Sequence, residues 1–196
     1  MNSITTYNAL LALSFLCLSL AASAQPTAPS SHAATGMTFP TKINDHATLI
    51  RSVDRGKTDN QPELGFTWYY HVEKPLDGMV AIYVYNAGKT EIPTGANSPF
   101  AASEFEEAIT ATTQMFLRSR PLKTVKGPAE CTVAGLTFRC VTFLDVLPNG
   151  VPAYTMLLLT GYRNHLVFVS AEWNGKAAEL PEAEKYLNGM LTTLMR

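Results

Sequence analysis

The sequence predicts an α+β fold, an antiparallel β-sheet with both faces covered by helices or by a helix and a hairpin layer. Three observations predict it. Aromatic and β-branched runs recur between turn-forming dipeptides from residue 66 to residue 173, two stretches carry apolar residues at helical spacing, and the last four strands are apolar on alternate and intervening positions alike. A sheet solvated on one side shows polar residues at every second position, so a sheet apolar on both sides requires two covering layers.

The elements follow in order. Ala9–Leu20 is an uncharged apolar run followed by Ala22-Ser23-Ala24, the pattern of a secretory signal peptide cleaved after residue 24. It is shorter than the roughly 20 apolar residues that span a bilayer. Cys17 is preceded by Phe15-Leu16 rather than by small residues, so no lipid anchor is expected. Residues 25–38 are small, polar and Pro-containing and read as a disordered leader, which leaves 39–196 as a single domain. Ala47–Val53 reads as a short strand. Phe66–Val72 and Met79–Tyr85 read as a hairpin around Asp77-Gly78.

A helix is expected from Ser98 or Ser103 to Arg118, with Ser103 and Glu106 as a capping box and Phe105, Ile109, Thr112 and Phe116 on one face. Strands near 122–133, 136–147, 151–162 and 165–173 follow, turning at Gly135-Leu136, Asn149-Gly150 and Arg163-Asn164. A final helix begins near Pro181, with Ala183, Tyr186, Leu187, Met190, Leu191 and Leu194 as its stripe.

These turns set a register. A type II′ turn at Gly135-Leu136 puts Cys131 opposite Cys140, within reach of a disulfide, as an exported protein with two cysteines beyond residue 24 favours. One sheet face then carries Val133, Phe138, Leu159, Leu166, Phe168 and both cysteines. The other carries Val141, Phe143, Met156, Leu158, Val167, Val169 and Ala171.

The order of hairpin, helix, antiparallel meander and C-terminal helix resembles the PsbP-like superfamily, with DcrB-type envelope proteins and uncharacterised secreted proteobacterial proteins. The residues that carry the likeness are Leu64-Gly65-Phe66, Tyr83-Val84-Tyr85-Asn86-Ala87-Gly88 and Ile92-Pro93-Thr94-Gly95. The resemblance implies an α/β/α sandwich and a non-catalytic module that binds a partner.

Composition and motifs narrow the chemistry. Fifteen Lys and Arg against sixteen Asp and Glu, a net charge of −1, lack the basic excess of a nucleic-acid binder. His32, His46, His71 and His165 are dispersed, with no metal-ligand spacing, nucleophile elbow or Gly-rich phosphate loop, so neither a catalytic residue nor a metal or cofactor is expected. Glu104, Glu106 and Glu107 read as acids complementing a helix start. Arg118, Arg120, Lys123 and Lys126 read as a solvated face rather than an anion site.

The register places Trp173, Tyr154, Asp145 and Lys126 side by side across four strands, with Arg139, Thr132 and Thr160 in a second polar row. This is the candidate site for a ligand or partner. A second aromatic group is Trp68, Tyr70, Tyr83 and Tyr85, with Tyr70 facing Tyr85. The expected function is an exported, periplasmic or secreted, binding or accessory protein that contacts another envelope or secreted protein. The alternative is a small-molecule or glycan binder, or a small secreted hydrolase.

Overall fold

The structure is a computed structural model that describes residues 27–117, 122–147, 149–175 and 179–196. The signal-like segment 1–24 lies outside the described residues. Two short strands, β1 (Ser31–His32) and β2 (Met37–Thr38), pair with each other. The remaining strands are β3 (Lys42–Ile43), β4 (Ala47–Asp54), β5 (Phe66–Val72), β6 (Gly78–Tyr85), β7 (Lys123–Val133), β8 (Leu136–Val146), β9 (Pro152–Tyr162) and β10 (His165–Asn174). They form one antiparallel sheet in the order β3-β4-β5-β6-β10-β9-β8-β7. The helices are α1 (Arg55–Thr58), α2 (Pro99–Leu117) and α3 (Leu180–Leu194). Among the described residues no helix is long and apolar enough to cross a membrane.

The β5–β6 hairpin does not form a separate layer. It joins the meander edge to edge, with β6 paired along β10 from Gly78↔Trp173 to Tyr85↔Leu166. One sheet face packs Val141, Phe143, Leu157, Leu159, Leu166 and Phe168 with Ala101, Phe105 and Ala108 of α2. The opposite face packs Trp68, Val80, Ile82, Met156, Leu158 and Val169 with Ala183, Leu187, Met190 and Leu191 of α3. α3 starts at Leu180, next to the expected Pro181, and buries the expected stripe except for Tyr186, which is half-buried. α2 starts at Ser98, whose Oγ accepts from the Ala101 N–H at 3.0 Å, and not through a box at Ser103. Pro99 then occupies the first helical position, where its missing N–H costs nothing.

The leader expected to be disordered is ordered from residue 27. Ala28, Met37 and Phe39 are buried in the same cluster as Trp68, because Met37-Thr38-Phe39-Pro40 alternates buried and exposed positions as a strand does. Phe39 lies flat on Trp68, with ring centroids 3.5 Å apart and planes 2° apart. The indole Nε1 donates to Pro29 O at 2.9 Å, and the Tyr70 hydroxyl donates to Pro40 O at 2.9 Å.

Two turns of the β7–β10 meander differ from expectation, and each moves the register. The β7–β8 turn is Ala134-Gly135, with φ of 51° and 75°, closed by Val133↔Leu136. Two left-handed residues make a type I′ turn, which matches strand twist. Cys131 therefore pairs with Phe138 and Cys140 with Ala129, so the disulfide runs diagonally, with Cα atoms 6.1 Å apart. β8 and β9 close at Val146↔Pro152 with a longer loop than a two-residue turn. A one-residue slip exchanges sheet faces, so Phe138 and the cysteines lie on the α3 face while Leu159, Leu166 and Phe168 lie on the α2 face.

Gly78 belongs to β6, not to a turn, and the loop is closed by Val72↔Gly78. Tyr70 consequently pairs with Val80 rather than facing Tyr85. A Cβ at Gly78 would stand 2.0 Å from Glu172 O, which is strand backbone and cannot yield. A Cβ at Gly189, inside α3, would meet nothing within 4 Å. Gly78→Ala is expected to cost about 2 kcal/mol or more, and Gly189→Ala to stabilise by up to about 1 kcal/mol, in urea unfolding.

Candidate functional site

The expected row across four strands is divided by the register. Trp173 and Tyr154 pair as expected and stack, with centroids 5.4 Å apart and planes 19° apart, but they are 3% and 2% exposed and belong to the core on the α3 face. The neighbour of Tyr154 on β8 is Leu144. Asp145 pairs with Ala153 instead, so it lies on the α2 face, buried, its Oδ1 accepting from the Val146 N–H. Arg139 is on that face too, its Nε donating to Ala96 O at 3.1 Å, which ties the segment before α2 to β8. Thr160 is buried, its hydroxyl bonded to Thr137 O at 2.8 Å. The five candidate residues are thus not one site.

Lys126 is the exception. It extends from β7 on the α3 face and forms an ion pair with Glu184 of α3. Beside it is a groove of about 90 Å³ between β7, β8, β9 and α3. Its walls are the Cys131–Cys140 disulfide, Met156, Leu158 and Leu187, and its rim includes Lys126, Glu184, Thr132 and Asn188. Asn188 Oδ1 accepts from the Ala134 N–H at 2.8 Å and so fixes the β7–β8 turn against the helix. Lys126 and Glu184 keep 56% and 34% of their side chains exposed, so their attraction is solvent-screened and supplies at most about 1 kcal/mol.

The residues missed in the sequence come from α3. Glu184, Leu187 and Asn188 recur at helical spacing three and four, which shows that they share a face but not that this face meets the disulfide. Lys123 and Lys126 are exposed on β7, whereas Arg118 and Arg120 lie outside the described residues. Glu104 does not complement a helix start. It sits beyond the first turn of α2, where it accepts from the Tyr85 hydroxyl at 3.2 Å. Burial pushes both Glu104 and Tyr85 up, and the Tyr85 hydrogen bond partly opposes the shift at Glu104. Among the described residues no group of three or more His, Cys, Asp or Glu is placed to hold a metal ion.

Glu172 shares a row of the α2 face with Met79, Thr155 and Phe143. Burial there pushes its carboxyl up to about 7. An acid whose folded value lies above its unfolded value binds more protons when folded, so stability is lost as pH rises from about 4.5 through 7. Glu172→Gln removes this loss. The variant is expected to exceed the parent protein in urea midpoint at pH 8, with the difference gone by pH 5.

The disulfide closes a short loop, and its sequence separation of 9 corresponds to roughly 2–3 kcal/mol of chain entropy. The paired change Cys131→Ser with Cys140→Ser is expected to lower unfolding free energy by that amount in urea titration. No protein-family model matches the chain, and no curated protein matches it.

Proposed function

We propose that the protein is an exported, non-catalytic binding or accessory module that acts on another protein, and that the groove beside the disulfide takes one aliphatic side chain of that partner. The size of the groove carries this reading. About 90 Å³ is less than the roughly 150 Å³ cavity that holds benzene. It is far below the about 300–1,000 Å³ of small-molecule sites. A single side chain matches it, and a sugar ring does not. The walls are apolar while the rim offers one cation, one anion and one amide, as at the edge of a protein contact.

The layering supports a finer reading of the fold. With α2 on one face and α3 with residues 27–40 on the other, we read the domain as an α/β/α sandwich of the PsbP-like kind. The formed Cys131–Cys140 bond supports an oxidising compartment, and with the signal-like run at 9–20 it supports a periplasmic or secreted location.

Site-specific photo-cross-linking in the producing cell tests the contact. A photoreactive residue at exposed Lys126, on the groove rim, is expected to give one discrete protein adduct. The same residue at exposed Asn174, at the end of β10, is expected to give none. Thermal stabilisation by cell-wall fragments or metabolites, with no adduct from residue 126, would overturn the reading in favour of a small ligand.

A further inference from the structure

The segment at residues 27–40 is held on the sheet by contacts that converge on one buried imidazole. His32 is 6% exposed. Its ring meets Phe66 and Trp68 of β5 edge-on, at 5.5 and 6.5 Å between centroids, and meets His165 of β10 at 4.8 Å. Its Nδ1 is 2.9 Å from the Thr35 hydroxyl. Arg163, in the β9–β10 turn, donates from Nη1 to Thr35 O at 2.7 Å. The outer anchors are neutral hydrogen bonds, from Trp68 to Pro29 O, from Tyr70 to Pro40 O, and from Ser52 to Ala28 O at 3.2 Å.

The charges around this imidazole are set to reject a proton. The β9–β10 turn and the start of β10 contribute two basic side chains, Arg163 and His165. From β5 the facing rings are Phe66 and Trp68, which carry no charge. On β4 the acid opposite Phe66 is Asp54, whose carboxylate is engaged by the Lys57 N–H at 3.0 Å and by Lys57 Nζ at 3.3 Å. α3 ends beside the same turn, where the Tyr162 hydroxyl donates to Met195 O.

We propose that residues 27–40 are an acid-released strap: protonation of His32 undocks the segment and uncovers the Phe66–Trp68–Tyr70 strip of the sheet. Burial first, and the neighbouring His165 second, hold the docked imidazole down at about 4 against an ordinary 6.5. The docked form therefore binds fewer protons than the released form. Docking is at full strength above about pH 6.5 and weakens as pH falls toward 4, on the order of a hundredfold in the docking equilibrium. The device is independent of the groove, which is built from other residues on β7, β8, β9 and α3.

An NMR titration of the protein from pH 7.5 to 4 tests it. The Gly36, Met37 and Phe39 amide signals are expected to move to unfolded-chain positions as pH falls below 6, while β9 amides keep their native shifts. His32→Gln keeps a neutral polar side chain and is expected to hold the strap docked across the range. His165→Gln removes the second cation and is expected to shift release to lower pH, and it serves as the readout if His32→Gln fails to dock at pH 7. Strap signals unmoved at pH 4, release together with the β9 amides, or the same release profile in the variants as in the parent would each overturn the proposal.

Discussion

A sheet apolar on both faces is the constraint on which the rest of the structure depends. Eight strands in one layer leave two broad apolar surfaces in water, and neither helix is wide enough to close a surface of that breadth. The α2 face is completed by Ile92 and by the Arg139 bond that draws residue 96 onto β8. The α3 face is completed by the N-terminal strap, because α3 covers the meander and leaves Trp68 and Tyr70 to be roofed by Met37 and Phe39. Burial of large aromatic and aliphatic side chains at about 25 cal/mol per Å² makes that coverage the dominant favourable contribution. A polar or mobile leader would forfeit its share.

How far the sequence was legible follows from which signals are local. Strands after residue 121 fall within a residue of their expected limits, and α3 presents its expected stripe, because periodicity and proline placement are read along one segment. The Arg163-Asn164 turn was also legible. Both residues take left-handed φ, 46° and 62°, so Trp173 lands opposite Tyr154 as expected. The other hairpins show the limit. Ala134 adopts φ of 51°, an angle no composition rule assigns to alanine, and Gly78 is glycine because β10 passes close by, not because a turn requires it. The first moved the partner of Cys131 by two residues and the second moved that of Tyr70 by five, whereas the longer β8–β9 loop moved its pairing by one, and one residue suffices to send Asp145 to the face opposite Tyr154.

The candidate groove was half legible for the same reason. Lys126 and the two cysteines are visible as a basic position beside a disulfide on neighbouring strands. Their meeting with Glu184, Leu187 and Asn188 depends on where α3 docks, which spans more than fifty residues of sequence and leaves no local mark. The strap left a mark that composition hid. Its prolines and small polar residues resemble a linker, yet the apolar residues between them alternate, and period is the better guide where period and composition disagree.

The outer edge of the sheet argues for a contact at the groove rather than by strand addition. β7 is exposed along most of its length, which would ordinarily make it a template for another chain. Its ladder is interrupted between Thr124 and Lys126 and again between Lys126 and Ala129, and Pro128 removes a donor within the second break. Lys123 and Lys126 add charge along the same edge. An incoming strand therefore finds broken hydrogen-bond spacing just where the edge is most open. Beyond the breaks the chain is tied down again, by the disulfide to β8 and by Asn188 to the turn. Those two restraints keep the groove open at a fixed width, so a partner meets a preformed socket beside an edge that resists pairing, and preformed contacts lose less free energy to ordering on association.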